Sequence, residues 1–300
     1  MKIVFYGNHT VGVRSLSTLC DCAEIVGVVA HPEDAEDGFR YESVYAYALR
    51  RGLKVIRGEG KSAAVREFVS GVGADLFWIA DYRYLLQSLL LAIPTLGVVN
   101  LHPSLLPKYR GRASINWAIL NGEARLGLTA HFVDAGMDTG DIIEQTSFLL
   151  EPEQDVGDAL NMYYPLYEDI TRRVIYHFMC GTVPREVQNH AAATCFPARK
   201  PTDGLVVWTR SAVDIANLVR GVAKPYPGAF TYISGVRVII WKVAIESEDC
   251  PCVPAKVVSV GPGKEFCVSS AKGLLRIKDW ESPSGMIPNI QVGLELGRSL

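Results

Sequence analysis

Two polar residues with complementary chemistry sit one residue apart at Asn100 and His102, directly after the apolar run Gly97-Val98-Val99 and ahead of Pro103. The run reads as a buried strand whose period of two puts both side chains on one face and Leu101 on the other. Proline then ends the ladder, so the pair belongs to a strand tip, where each buried polar group needs a partner or water. Asparagine offers an amide donor that does not titrate, and histidine takes or gives a proton near neutral pH. A second stretch, Val133-Asp-Ala-Gly-Met-Asp-Thr-Gly-Asp141, brackets Asp138 between Gly136 and Gly140, which suits a tight loop whose backbone comes close to something. An Asp arriving from that loop would favour the imidazolium and raise the histidine pKa. Together the three match acyl transfer: Asn100 for a developing oxyanion, His102 for charge or proton, Asp138 to tune His102. No Ser or Cys is placed to form an acyl-enzyme, so direct attack by an amine is the simpler scheme. Two alternatives stand beside this one. A His and an Asn at a strand tip are often structural, and a His with an Asp can ligate a metal. No metal is expected, because no second His or acid lies at ligand spacing and His131 falls on a different strand.

The elements that carry these residues alternate. Lys2-Ile-Val-Phe-Tyr6, Glu24 to Ala30, Lys54-Val-Ile56 and Leu76 to Ala80 read as strands, with helices beginning near Thr10 and over Ser43 to Arg51 and Ser62 to Ser70. Strands alternating with helices predict a Rossmann-like, mostly parallel α/β sheet with helices on both faces. Sites in such sheets lie beyond the carboxyl ends of the strands. The first turn, Gly7-Asn-His-Thr-Val-Gly12, lacks both the middle glycine of a dinucleotide fingerprint and the Gly-Lys-Ser/Thr ending of a P-loop. As a helix N-terminus it can still meet an anion, or it is a plain turn. Asp81 to Gln87 belongs at the same sheet edge, where Tyr84, Leu85 and Leu86 either wall a flat ring or begin the next helix. A helix over Ile115 to Leu120, strands near Thr129 to Val133 and Ile142 to Leu149, and a long helix from Val156 to Met179 ending at Gly181 complete a first domain, residues 1–187. Residues 188–204 lose periodicity and read as a linker. Residues 205–300 hold a helix, Ser211 to Val222, and five short strands with glycine turns, which predicts a small C-terminal β-barrel (OB-like).

Composition bounds the setting. Hydrophobic residues at 49% and charged residues at 21% describe an ordinary globular protein with a real core. No apolar run is long enough to span a bilayer, and the chain enters a strand pattern at once, so no membrane association and a cytoplasmic location are expected. Seven cysteines without a Cys-x-x-Cys pair read as reduced thiols. A formal net charge of −2 gives no general drive toward nucleic acid, and residues 205–300 hold only 11 Lys and Arg against 8 Asp and Glu.

The ordered set Asn-x-His-Pro-Ser-Leu-Leu-Pro-x-Tyr-Arg-Gly, Gly127-Leu-Thr129 and Met-Asp-Thr-Gly-Asp-Ile closely resembles the 10-formyltetrahydrofolate-dependent formyltransferases. The likeness continues through Ala193-Thr-Cys-Phe196 and Arg220 to Phe230, which look like the linker and C-terminal barrel of that family. The resemblance implies a formyltransferase with 10-formyltetrahydrofolate as co-substrate, Asn100 as transition-state stabiliser, His102 as acid/base and Asp138 as the residue that raises its pKa. It further implies that Tyr84, Leu85 and Leu86, with Asp134, Ala135, Gly136, Met137 and Asp138, hold the folate, with Arg112 beside it. Ser114 departs from the family's usual proline and bears on the local loop. Asp81-Tyr-Arg-Tyr-Leu and the acidic loop from Glu33 to Asp37 look more like the sugar-modifying members than the tRNA-modifying ones. The expected substrate is therefore a nucleotide-linked amino sugar, with methionyl-tRNA as the alternative and a non-catalytic folate- or sugar-binding module as a weaker one. Asn8, His9 and Thr10, with Arg199 and Lys200, are candidates for the sugar nucleotide's phosphates. The sequence leaves a homo-oligomer open.

Overall fold

The computed structural model describes residues 1–32, 41–250 and 253–297. The acidic loop from Glu33 to Asp37 lies outside the described residues. Two compact units result: residues 1–111, 125–148 and 160–196 form the first, and residues 112–124, 149–159 and 197–300 the second.

The elements follow in chain order as β1 (Lys2–Gly7), α1 (His9–Cys22), β2 (Glu24–Ala30), α2 (Val44–Arg50), β3 (Val55–Arg57), α3 (Ala63–Ser70), β4 (Leu76–Ala80), α4 (Ser88–Leu91), β5 (Val98–His102), β6 (Arg110–Gly111), α5 (Ser114–Leu120), β7 (Arg125–Phe132), β8 (Ile142–Leu149) and α6 (Val156–Cys180). The first unit is built on a seven-stranded sheet of order β3-β2-β1-β4-β5-β7-β8. Strands β3 to β5 run parallel and β7 lies antiparallel to β5. The expected mostly parallel sheet is therefore present. Local chemistry sets its helices: the hydroxyls of Ser43 and Ser62 accept from Ala46 N and Val65 N and cap α2 and α3. Gly181, at φ 65°, follows the last residue of α6 in the left-handed conformation that glycine adopts without penalty.

Both sheet faces are covered. Val4, Tyr6, Phe77 and Ile79 pack with Val65 and Val69 of α3 on one face. Trp78 points to the other by the strand period, where its indole donates to Ser15 Oγ of α1 at 2.9 Å and Ser15 meets Thr171 of α6 at 3.0 Å.

In the second unit, Ser211 caps α7 (Ala212–Gly221) through Asp214 N. The strands β10 (Ala229–Ile233), β11 (Val236–Ser247), β12 (Val257–Val260), β13 (Phe266–Ser269) and β14 (Leu274–Glu281) form an antiparallel sheet of order β10-β11-β14-β13-β12. Its edges are joined by the tail: Leu296 bridges Ile233 of β10, and Glu295 bridges Lys256 just before β12. Trp208, Ile215, Val219, Phe266, Val268 and Trp280 fill the interior. The small two-stranded pair of β6 with β9 (Cys195–Phe196) belongs to the first unit.

Candidate active site

Asn100 and His102 both lie on β5, and the antiparallel register sets His131 of β7 opposite Asn100 and Thr129 opposite His102. Cross-strand partners share a face, so the four polar side chains of Asn100, His102, Thr129 and His131 converge there. His131 does fall on a different strand, as its sequence position implies, but that strand is the immediate neighbour of β5. The His131 Nδ1 lies 2.8 Å from the Phe132 carbonyl, so it carries the proton and donates it. Burial pushes this imidazole down to about 4, against the pull of the Asp138 carboxylate. Neutral and fixed in tautomer, His131 presents the Nε2 lone pair to Asn100 Nδ2 at 3.2 Å. Asp138 Oδ1 lies 3.5 Å from the same nitrogen. Two acceptors on one side settle the Asn100 amide with its NH2 toward them. One hydrogen is held by His131, and the other, held only loosely by Asp138, is available to a developing negative charge.

The His102 ring is oriented just as tightly. It is 5% exposed, and its Nε2 donates to the Tyr109 carbonyl at 2.8 Å. The nitrogen left for proton traffic is Nδ1, which faces Asp138 Oδ2 at 3.6 Å. The loop that follows His102 is stapled from β7: Thr129 Oγ1 donates to Ser104 O at 2.7 Å and accepts from Leu106 N at 3.2 Å. Ser104 Oγ in turn donates to Lys108 O at 2.8 Å and so tightens the same loop.

Asp138 is delivered by its glycine-bracketed loop with a φ of 54°. Its Oδ2 accepts from Gly111 N at 2.9 Å. Gln188, inside the stretch expected to be a linker, donates to Asp138 O at 2.9 Å and Gly140 O at 2.7 Å. Asp134 closes the start of the loop by accepting from Gly136 N and Thr139 Oγ1. Asn100, His102 and Asp138 are thus brought together with His131, a residue that only the long-range strand pairing could reveal.

Of the folate candidates, Tyr84 and Leu86 pack against the same core cluster as Val133, the first residue of the Asp138 loop. Tyr84 also stacks on His31, with ring centres 4.7 Å apart and planes at 17°. Leu85 and Met137 stay 72% and 45% exposed, leaving apolar surface on both segments. The short α4 begins at Ser88, so Tyr84 to Leu86 precede it as a loop. Arg112 belongs to the second unit. Ser114 begins α5, and the residue before it, Ala113, takes a left-handed φ of 54°.

The phosphate candidates are partly occupied. His9 Nδ1 lies 2.7 Å from Asp81 Oδ2, and Thr10 Oγ1 accepts from Glu42 N at 3.1 Å. In the second unit the Arg199 guanidinium lies over Trp117 and donates to Asp203 O at 2.8 Å, while Lys200 is exposed. Among the described residues no group of three or more His, Cys, Asp or Glu could hold a metal ion, and no helix is long and apolar enough to cross a membrane.

The model of the formyl transferase family matches residues 7–164, and that of the formyl transferase C-terminal domain matches residues 199–292. A methionyl-tRNA formyltransferase of Ruminiclostridium cellulolyticum is 32% identical over 294 residues, covering 95% of this chain and 93% of its own. Among solved structures, the sugar 3N-formyl transferase WlaRD, determined with dTDP and 5-N-formyl-THF, superimposes with a TM-score of 0.70 at 22% identity, over 92% of this chain and 96% of its own. An N-formyltransferase from Helicobacter canadensis, complexed with folinic acid and dTDP-3-aminofucose, gives a TM-score of 0.72 at 20% identity, over 94% and 100%. At these identities the two structures establish the fold.

Proposed function

The chain belongs to the formyl transferase family, and on that premise we propose that it moves a formyl group from 10-formyltetrahydrofolate to the amino group of a nucleotide-linked amino sugar by direct attack of the amine. The observation that carries the chemistry is the convergence of Asn100 and His102 of β5 with Asp138 of its loop. His102 has one nitrogen on the Tyr109 carbonyl and the other facing Asp138, so it activates no hydroxyl or thiol among the described residues. An amine that brings its own lone pair needs no such nucleophile.

The folate supplies an activated formyl carbonyl. Asn100 Nδ2 donates to the carbonyl oxygen as negative charge grows there, and His102 Nδ1 takes or returns the proton that moves between the two nitrogens. Asp138 faces the imidazolium formed when Nδ1 is protonated. The exposed Leu85 and Met137, with Tyr84, Leu86 and the Asp134 to Asp138 segment, are the residues we assign to the flat heteroaromatic ring of the folate. Arg112 is assigned to the folate by family resemblance alone.

Sugar nucleotides are the substrate class we favour over tRNA, because one similar structure is a sugar 3N-formyl transferase and another holds dTDP-3-aminofucose, and because the chain carries a net charge of −2. Asn8, His9 and Thr10, at the carboxyl end of β1, are the residues we assign to the nucleotide. The second reading, methionyl-tRNA, rests on the 32% identical relative. The test is to incubate the protein with 10-formyltetrahydrofolate and either a panel of dTDP- and UDP-linked 3-amino and 4-amino sugars or methionyl-tRNA. A mass gain of one formyl group on a sugar is expected. Formylation confined to methionyl-tRNA, with strong salt-dependent binding, would overturn the assignment.

A further inference from the structure

We propose that Gln188 is a positioning residue for Asp138, an inference that rests on the role given to Asp138 above. Gln188 is 3% exposed, yet its side chain is fully used. Its amide nitrogen donates to two carbonyls of the catalytic loop, Asp138 O at 2.9 Å and Gly140 O at 2.7 Å. Its Oε1 accepts from Arg110 Nη2 at 2.6 Å and Nε at 3.2 Å, and Arg110 Nη2 also reaches His190 Nδ1 at 3.0 Å. Arg110 itself is buried and leads into Gly111, whose N–H holds the Asp138 carboxylate. The loop is therefore gripped from two sides by one connected network: Gly111 fixes the carboxylate and Gln188 fixes the backbone that carries it.

That grip has a reason. Asp138 sits in the left-handed region, which a non-glycine residue leaves unless its surroundings hold it. At Gly140 the chain passes so close to the Phe132 carbonyl that a Cβ there would lie 1.9 Å from its oxygen, so the loop cannot relax inward. The two donated hydrogen bonds are what stop it relaxing outward. With Nδ1 of His102 and Nδ2 of Asn100 both depending on where the carboxylate stands, a shift of the loop by an ångström misplaces all three groups. Both carbonyls need a donor, and glutamine alone combines two N–H donors with an acceptor for Arg110 at this length.

The test is Gln188→Glu, which keeps shape and the acceptor facing Arg110 but replaces both donors by an oxygen. Turnover should fall about ten- to a hundredfold while α6 keeps its protection. Amide hydrogen exchange should rise over residues 134–140 and stay unchanged over residues 162–178. Gln188→Met, which has similar length and no donors, should give the same pattern and serves if the buried carboxylate prevents folding. A double variant with Asp138→Asn separates positioning from general damage. If Gln188 acts through Asp138, the double variant turns over within about twofold of Asp138→Asn alone. Multiplying losses, or unchanged exchange at residues 134–140, would overturn the inference. If Asp138→Asn by itself leaves turnover unaltered, the role given to Asp138 fails, whereas a large loss there beside a silent Gln188→Glu sinks only this inference.

Discussion

Replacing Gly111 by alanine should damage stability and turnover together. Gly111 has a φ of 94°, a value that costs an L side chain about 1–3 kcal/mol. A Cβ built there would lie 2.3 Å from the Phe196 carbonyl oxygen of β9, which pairs with β6 in parallel. Backbone cannot yield as a side-chain end can, so β6 and β9 must part by about 1 Å to restore van der Waals contact. That movement strains the Arg110 N to Thr194 O bond of 2.9 Å and the Tyr109 stack on Phe196, whose ring centres are 5.2 Å apart, at a further cost of about 1 kcal/mol. The sum is about 2–4 kcal/mol, a fall in the unfolding midpoint of roughly 5–10 °C followed by circular dichroism. The displaced N–H no longer meets Asp138 Oδ2, and an error of that size lowers turnover about a hundredfold. A midpoint within 2 °C of the parent, with turnover within about twofold, would show that β6 and β9 accommodate a side chain at position 111 without disturbing Asp138.

Three further outcomes follow from the site. Asn100→Ala should reduce turnover by about 10²–10³ with little change in folate binding, measured by steady-state kinetics and fluorescence titration. His131→Phe removes the acceptor that orients the Asn100 amide, and turnover should drop about tenfold; unchanged kinetics would deny His131 that role. His131 also predicts a pH dependence of stability. Its folded pKa of about 4 lies below the usual 6.5, so between those values the unfolded chain binds a proton that the folded chain refuses. Stability from this group is complete above about pH 6.5 and is lost progressively as pH falls toward 4. Urea unfolding of the parent against His131→Asn should show the steeper acid loss in the parent; parallel curves would exclude it.

Much of the site is legible in the sequence because its signals are local. A period of two places Asn100 and His102 on one face, and flanking glycines mark the loop of Asp138. Alternating strands and helices give the sheet, and Ser43, Ser62 and Ser211 mark their helix starts. The missing parts depend on contacts distant in sequence. His131 joins the site only through the antiparallel register of β5 with β7, which no short window encodes. Gln188 lies in an aperiodic stretch whose composition reads as linker, yet its side chain is buried by Asp138, Gly140 and Arg110. The grouping of residues 112–124 and 149–159 with the C-terminal unit is equally a matter of tertiary packing, visible where Asn116 Nδ2 donates to Gly221 O at 2.8 Å.

If His102 moves the proton during formyl transfer to an amine, its removal must slow the transfer step itself. A single-turnover measurement tests it, mixing enzyme preloaded with 10-formyltetrahydrofolate and an amino-sugar acceptor and following the formylated product in the parent and in His102→Ala. The variant is expected to fold, to retain folate binding and to transfer the formyl group about 10²–10⁴ times more slowly. Transfer at the parental rate in the variant would contradict that role for His102.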